Sequence, residues 1–211
     1  MPSPFIWHEL LTSDAAAART FYHQLLGWEL AGEGFAVDGL RVAGVRNSKI
    51  VPHWAPFVRV ADPEACARAV ASAGGRVAGR PESPPGIVLL DPRGVPTVAS
   101  AAEGRDLFVW HILESTDVSA SGAWLAATVG LTVPARGGLW RGEEQVGSLV
   151  SGTHDQWLCH VLVADRHAVR ERALGLGARV EAADVEASGF GSFDTLLDPQ
   201  GAAFCVFQAA G

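Results

Sequence analysis

The stretch "LFVWHILESTD", residues 107–117, repeats in altered form a stretch at the start of the chain, "FIWHELLTSD", residues 5–14. Both copies contain a tryptophan followed by a histidine, then apolar residues, and both end in an aspartate. The two halves continue to align without a gap, since Trp7 falls on Trp110 and Gly74 falls on Gly177, both 103 positions later. One register held over such a span indicates a tandem duplication.

Beyond this span the second half gains four residues. The motif "LLDPRG" at 89–94 matches "LLDPQG" at 196–201, which lies 107 positions later instead of 103. We place the insertion in the loop around Ala187 to Gly191.

Each half divides again into two similar pieces. Residues 5–11 predict a strand, Asp14 is a favourable helix N-cap, and Gly27 can end the helix in a left-handed conformation. Short β segments separated by glycine follow and predict a meander of three strands. The second piece repeats this plan, with Asp62 as the N-cap and a final hairpin turned by D-P-R-G.

The second half repeats the plan with helices near Ser119 to Val129 and His167 to Leu176. Ser121 and Gly122 weaken the first of these. The sequence therefore predicts an α+β fold of four βαβββ modules in two tandem halves, residues 1–104 and 105–211. We expect Trp54 and Trp157 to pack in the core.

Composition excludes several classes of function. The net charge is −7, and no run of Lys and Arg suggests binding to nucleic acid or to an anionic membrane. The chain shows neither a secretory leader pattern nor an 18-residue apolar stretch, so we expect a cytoplasmic protein. Its three cysteines, Cys66, Cys159 and Cys205, fit free thiols better than a disulfide framework.

The module pattern resembles the vicinal oxygen chelate superfamily, which includes glyoxalase I, extradiol dioxygenases and bleomycin-resistance proteins. The resemblance rests on "WHELLTSD", on "WAPFVRVAD" and "WLCHVLVAD", and on the D-P-x-G hairpins, and it covers nearly the whole chain. It implies that each pair of modules forms a curved-sheet cup. It leaves the reaction open, because this fold hosts lyases, dioxygenases, epimerases and binding proteins.

The resemblance also implies where a metal would bind: on the first strand of a module, on the first strand of its partner, and on a final strand. Counted in this sequence, those positions fall on Trp7 and Trp110, Ala55 and Leu158, and Val98 and Cys205. None is a carboxylate or an imidazole, although a divalent ion needs several converging N, O or S ligands. We therefore predict no cofactor. The alternative is a divalent metal held in an unusual geometry by His8, His111 and His160.

His8 and His111 are expected to be buried core residues, because strand side chains alternate and these two share a face with apolar neighbours. Their alternative role is as a pair of metal ligands related by the duplication. His160 differs, since alternation places it on the cup face between Leu158 and Leu162. There it can act as a general acid or base. Contact with a ligand, without any catalytic role, is the alternative.

Glu9 is the second candidate for proton transfer. Glu9 and Arg59 are expected to face the first cup, where they either form an ion pair or orient the polar edge of a ligand. The predicted substrate-binding residues are Trp7, Phe57, Arg59, Trp110, Trp140, Leu158 and Cys205. Indole rings with few polar groups favour an aromatic or polycyclic metabolite.

Three hypotheses of function follow. In the first, the protein transforms a small organic metabolite by metal-independent acid–base chemistry: isomerisation, cyclisation, hydration or elimination. In the second, it binds and sequesters such a molecule without chemistry. In the third, it is a metal-dependent lyase or dioxygenase. The expected partner is a small organic molecule, and the chain can function as a monomer or a homodimer.

Overall fold

The computed structural model describes residues 3–135 and 137–211. The first module consists of β1 (Phe5–Thr12), α1 (Ala15–Leu26), β2 (Glu29–Ala31), β3 (Gly34–Val37) and β4 (Leu40–Asn47). The second consists of β5 (His53–Arg59), α2 (Pro63–Ser72), β6 (Arg76–Gly79), β7 (Ile87–Leu90) and β8 (Pro96–Ser100). Both follow the predicted βαβββ plan.

The second half repeats the plan with one difference. The third module consists of β9 (Trp110–Ser115), α3 (Val118–Thr128), β10 (Leu139–Arg141) and β11 (Glu144–Ser151). The fourth consists of β12 (Gln156–Leu162), α4 (Arg166–Gly175), β13 (Arg179–Ala187), β14 (Gly191–Leu197) and β15 (Ala203–Ala209). Among the described residues of the third module, two strands follow the helix, and Thr132 adds only an isolated bridge to Trp140.

Side-chain caps explain where the helices begin. The carboxylate of each capping aspartate accepts a hydrogen bond from the backbone N–H three residues later, which satisfies one of the unpaired donors of the first turn. The pairs are Asp14 with Ala17, Asp62 with Ala65, Asp117 with Ala120, and Asp165 with Ala168. Gly27 follows α1 at φ 72°, as predicted.

Helix α3 continues through Ser121 and Gly122 despite their low helix propensity. The Ser121 hydroxyl lies 2.8 Å from the Ser115 hydroxyl. A Cβ on Gly122 would lie 3.3 Å from a methyl group of Val133, so the missing side chain permits close packing. Packing therefore outweighs propensity here.

The strands form two sheets, one within each half of the duplication. The eight-stranded sheet has the order β2-β3-β4-β1-β5-β8-β7-β6, and the seven-stranded sheet has the order β10-β11-β9-β12-β15-β14-β13. This confirms the predicted α+β fold with two tandem halves. No helix within 3–135 or 137–211 has the length and apolar character needed to cross a membrane.

The chain divides into two compact units, each of which draws on both halves of the duplication. The first unit comprises the residues up to Trp7, then 55–106 and 111–157, and so carries most of the second and third modules. The second unit comprises 8–54, 107–110 and 158–211, and carries most of the first and fourth modules.

The core of the first unit contains an apolar cluster of buried residues from β1, β5 and β8. We call it the apolar cluster: Ile6, Trp7, Ala55, Phe57 and Val98. Helices α2 and α3 pack against each other in this unit. The buried indole of Trp157 donates a hydrogen bond to the Thr97 hydroxyl at 3.1 Å, so Trp157 is a core residue, as predicted.

The core of the second unit is aromatic. The buried ring of Tyr22 stacks on Trp28 at 5.7 Å between centroids and packs edge-on against Trp54 and Phe204. The Trp54 indole donates to the Tyr22 hydroxyl at 3.0 Å, and this hydroxyl donates to Asp198 at 3.3 Å. Trp54 is therefore a core residue too.

Candidate functional site

The sheet of the fourth module has one face covered by a helix and one turned away from it. Helix α4 packs on β13, β14 and β15. Asp194 of β14 forms an ion pair with Arg166 of α4, so the Asp194 side chain faces the helix. Side chains alternate along a strand, and Phe193 and Thr195 must therefore point to the opposite face. We call that opposite face the inner face.

The strand register places His160 beside two polar side chains on the inner face. His160 of β12 pairs with Cys205 of β15, which pairs in turn with Thr195 of β14. Directly opposed residues share a face. We call these three residues the polar row. All three are buried, and the Thr195 hydroxyl lies 3.4 Å from the Cys205 sulfur.

The His160 imidazole lacks a hydrogen-bond partner among the described residues, although its side chain is only 1% exposed. Neither Nδ1 nor Nε2 is paired. Burial lowers the pKa of His160 to about 4, and the nearby backbone groups of Trp110 and Leu158 oppose this shift without forming a hydrogen bond of normal geometry. The ring is therefore neutral at neutral pH.

Such a group is rare, because leaving a buried donor or acceptor unpaired costs about 1–3 kcal/mol. A ligand with a hydroxyl or carbonyl group would relieve this cost.

A second row of side chains lies beside the polar row. Leu162 pairs with Phe207, Phe207 with Phe193, and Phe193 with Val185. We call these four residues the apolar row. Leu162 is 54% exposed and the other three are half-buried. The Phe193 ring packs edge-on against the His160 ring at 4.7 Å between centroids.

Sequence reasoning missed several of these residues. Phe207 could have been found, because it lies two residues after Cys205 on the same strand and so shares its face. Thr195 and Phe193 depend on the pairing of β14 with β15, which no local pattern specifies. The insertion predicted around Ala187 to Gly191 is the turn of the β13–β14 hairpin, since these two residues are the last pair of that ladder.

Burial also determines the state of Cys205. It raises the pKa of the Cys205 thiol to about 12, so the thiol is protonated at neutral pH. A protonated, buried thiol is a poor nucleophile. Cys205 therefore serves as a small, weakly polar wall of the inner face.

Two further predicted binding residues, Leu158 and Trp110, lie in the second unit. Leu158 is buried on β12, and Trp110 is half-buried at the start of β9. The N–H of Val109, next to Trp110, donates to the His160 carbonyl at 2.9 Å. The backbone thus places Trp110 near His160.

Besides Arg59, three of the predicted binding residues lie in the first unit. Trp7 and Phe57 belong to the apolar cluster, and Phe57 is fully buried. Trp140 is half-buried, and its indole donates to the Gly137 carbonyl at 2.6 Å. Contact of these three side chains with a substrate remains a prediction.

Arg59 and Glu9 each have an ion-pair partner. Arg59 lies 3.0 Å from a carboxylate oxygen of Glu103. Glu9 is buried, and its carboxylate accepts a hydrogen bond from the Arg46 Nε at 2.5 Å. Its carboxylate covers Gly44, where an added Cβ would lie 2.4 Å from a Glu9 oxygen. Each residue thus pairs with a partner other than the one that the sequence suggested, and contact of either with a ligand remains a prediction.

His8 and His111 are buried, as their place in the alternation predicted. His8 packs edge-on against Phe108 at 4.4 Å, and burial lowers the pKa of His8 to about 3. His111 stacks on Phe5 at 3.7 Å and lies 3.6 Å from the Asp106 carboxylate. Each ring therefore has aromatic packing in its own unit.

The positions implied for a metal do not fit one. In the first unit, Trp7, Ala55 and Val98 pack together in the apolar cluster and offer no ligand atom. In the second unit, the positions hold Trp110, Leu158 and Cys205, and of these only the Cys205 sulfur could serve as a ligand atom. A divalent ion needs several N, O or deprotonated S ligands. These six side chains therefore cannot form the family's metal site.

An open groove of about 690 Å³ lies elsewhere on the second module. It runs between the start of α2 and the segment before β7, and its lining includes several prolines and the exposed ion pair of Glu64 with Arg80. None of the predicted catalytic or binding residues lines it. The groove is therefore not part of the inner face.

A family model matches most of the chain. The model described as "Glyoxalase-like domain" matches residues 8–98 and 110–207. The chain is 26% identical to CFP32 of Mycobacterium tuberculosis, covering 97% of this chain and 94% of that protein. It is 27% identical to "Anthracycline biosynthesis protein DnrV" of Streptomyces peucetius, covering 98% and 94%.

Solved structures share the fold. The Mn(II)-bound glyoxalase from Novosphingobium aromaticivorans has a TM-score of 0.70 at 14% identity, covering 98% of this chain and 82% of that chain. Homoprotocatechuate 2,3-dioxygenase from Arthrobacter globiformis has a TM-score of 0.66 at 18% identity, covering 99% and 81%. At these identities the likeness concerns the fold alone.

Proposed function

Because the chain belongs to the glyoxalase-like family and has the vicinal oxygen chelate fold, as its sequence pattern predicted, we propose that it transforms a small aromatic or polycyclic metabolite on the inner face of the fourth module. His160 moves the proton, and no metal takes part. The observation that carries this proposal is the buried imidazole of His160, which has two unpaired nitrogens and lies beside the apolar row.

Two observations support the substrate class. Phe193, Phe207 and Leu162 are neighbours on three adjacent strands, and their partial exposure leaves apolar area for a flat ring system. The relative from Streptomyces peucetius is named for anthracycline biosynthesis, and such compounds contain fused rings. A phenolic hydroxyl or ring carbonyl at the edge of the ring system would then meet His160.

The neutral ring of His160 suits proton transfer. One nitrogen accepts a proton and the other donates one. In an isomerisation, a C–H bond beside a carbonyl breaks, the proton moves to the imidazole, and the electron pair moves to the carbonyl oxygen. The proton then returns to another atom of the same molecule, so no oxidant or second substrate is needed. Glu9 of the first module is the second candidate for this role.

Binding without chemistry is the competing function, and the pKa of His160 favours it. A pKa of about 4 makes His160 a weak base in the unliganded protein. In a binding protein, the imidazole would only pair with a polar group of the ligand. The two functions differ in whether a proton leaves the ligand.

Deuterium exchange into an aromatic ketone separates the two functions. The probe is 1-tetralone, whose C–H groups beside the carbonyl exchange with D₂O when a base removes a proton. We expect the protein to bind tetralone and to accelerate the exchange, as measured by mass spectrometry. His160→Phe should return the rate to background, and Glu9→Gln tests the second candidate.

His154→Phe is the matched control, because His154 is exposed. The control should exchange tetralone at the wild-type rate. Binding without exchange would support sequestration instead of catalysis. Exchange that persists unchanged in both His160→Phe and Glu9→Gln would overturn the acid–base assignment.

A further inference from the structure

A network of charged side chains joins α4 to the sheet directly behind the inner face. Arg166 forms ion pairs with Asp194 of β14 and with Asp184 of β13, the latter at 2.8 Å. Arg170, one turn further along α4, contacts the same two carboxylates at 3.3 Å. Asp194 is fully buried and Arg166 is nearly so. We call these four residues the charged network.

The charged network holds an irregularity in β13. Ala182 pairs with Thr195 and Val185 pairs with Phe193, so three steps along β13 oppose two along β14. The extra residue makes a β-bulge. Asp184 lies in this bulge at φ 57°, a left-handed conformation that non-glycine residues rarely adopt, and its N–H donates to Asp194 at 2.8 Å.

The bulge determines which residue completes the apolar row. Without an extra residue, alternation would place Asp184 opposite Phe193. With it, Val185 takes that place, and Asp184 turns towards Arg166. The apolar row thus extends across a fourth strand because the bulge is present.

The second module lacks the charged network at the matching positions. Its counterparts of Arg166, Arg170 and Asp194 are Pro63, Ala67 and Ile87. Replacing such apolar contacts with buried charges does not by itself favour stability, because the desolvation of the charges offsets their attraction. Buried ion pairs can instead select one arrangement over others. The presence of the charged network behind the inner face, and its absence at the matching positions of the second module, therefore indicate a role in shaping the inner face.

We propose that the charged network is a positioning device that sets the β13 bulge and so holds Phe193 and Val185 in place for planar, fused-ring ligands. This inference rests on the proposed function for its ligand class. Asp184 and Arg170 are positioning residues, since they touch the helix side of the sheet and act through the strand. The network thereby selects ligands by the extent of their ring system.

The first test needs no ligand. The Phe193 ring shifts the NMR signals of the His160 ring protons, because the two rings lie 4.7 Å apart. We expect Asp184→Asn, which removes the charge but tolerates the left-handed conformation, to change these signals. Asp38→Asn is the matched control, because Asp38 also has a positive φ, 53°, in a hairpin of the same unit. The control should leave the His160 signals in place.

The second test measures how the protein distinguishes ligands by ring number. Fluorescence titration would give the affinities for 1-hydroxyanthraquinone, with three rings, and 1-naphthol, with two. We expect the wild type to prefer the larger probe by at least tenfold and Asp184→Asn to reduce this preference at least threefold. A general loss of folded protein would lower both affinities equally and leave the ratio unchanged. Arg170→Gln is the second variant, should Asp184→Asn fail to fold.

The outcomes separate the inference from the proposed function. If neither probe binds the wild type, the ligand class is wrong, and the NMR comparison still decides whether the network positions Phe193. Unchanged His160 signals and an unchanged affinity ratio in both variants would overturn the positioning role. Changed signals in Asp38→Asn would also overturn it, because the effect would then not be specific to the bulge.

Discussion

The second and fourth modules use the same strand register for opposite purposes. Phe57, Val98 and Val88 of the second module occupy the positions of His160, Cys205 and Thr195 in the fourth. The first set is apolar and the second is polar. The neighbouring row is reversed: Arg59, Ser100 and Gly86 stand where the fourth module has Leu162, Phe207 and Phe193.

The two modules show how copies of one duplicated fold can differ: the second module uses its inner positions for packing, and the fourth carries the residues of the proposed ligand site. In the second module, the inward positions form an apolar cluster, and polar or small residues lie beside it. In the fourth, a buried polar row lies beside half-exposed aromatic rings. The first and last strands pair in the same register in both modules, so the different polarity of these positions comes from their side chains, while the fourth module also has a longer β13–β14 hairpin with a bulge. Exchanging residues between the modules should therefore break the comparison in predictable ways.

The largest effect is expected from Phe57→His, which places the fourth module's residue in the apolar cluster. The variant loses aromatic packing and buries an imidazole among apolar side chains, which should lower the free energy of unfolding by about 3–5 kcal/mol. Urea denaturation measures this change. Phe190→His is the control, because Phe190 is exposed. A loss of less than about 1 kcal/mol would show that the cluster tolerates the polar ring.

His160→Phe makes the reverse exchange and should alter the pH dependence of stability. Burial lowers the folded-state pKa of His160 to about 4, whereas the unfolded value stays near 6.5. The unfolded chain therefore binds the proton first as the pH falls, and stability is lost between those two values. Between these two pH values, the free energy of unfolding of the variant should fall by about 3 kcal/mol less than that of the wild type.

Stability measured at pH 7 and pH 4 tests this prediction. His8 has a lowered pKa as well, so part of the acid sensitivity should remain in the variant. Equal losses in the wild type and in His160→Phe would mean that the His160 ring is not held neutral by burial.

A smaller effect is expected from Gly86→Ala. Gly86 is the counterpart of Phe193, and the substitution adds a Cβ where the fourth module has the Cβ of Phe193. A Cβ at Gly86 would lie 2.7 Å from a Val98 methyl group and 3.1 Å from the Ala99 carbonyl oxygen. We expect a loss of about 1–3 kcal/mol from overpacking. Gly79→Ala on the same hairpin is the control, because its Cβ would meet only a contact of 3.9 Å. Equal effects of the two substitutions would contradict the packing explanation.

The smallest effect is expected from Cys205→Val, which introduces the second module's residue at a position already buried. The side chains are similar in size, and the lost contact is a weak one between the thiol and Thr195. The free energy of unfolding should change by less than about 1.5 kcal/mol. Tetralone exchange should persist, since the thiol takes no part in proton transfer. A complete loss of exchange would give Cys205 a role that its protonated state does not predict.

Much of the fold could be predicted because it rests on local signals. The capping aspartates, Gly27 and the repeated D-P-x-G motif each determine a boundary through nearby backbone geometry. Strand alternation also predicted that His160 lies on the cup face. These predictions needed only the spacing of residues within single elements.

The remaining features depend on contacts between distant residues. The place of Phe193 opposite Phe207 requires the register of β14, and the place of Val185 requires the bulge at Asp184. That bulge is held by Arg166 of α4, 18 positions earlier. No periodicity in the sequence carries this information, so the apolar row could only be recognised in the structure.

The most direct test of the inner face as the ligand site is an NMR titration of the histidine ring signals with 1-hydroxyanthraquinone. We predict that the His160 signals shift and saturate with the bound ligand, whereas those of exposed His154 stay fixed. The ligand should also raise the pKa of His160 if it offers the ring a hydrogen-bond acceptor. Saturable binding with unmoved His160 signals would contradict the inner face as the site, because the ligand would then bind elsewhere.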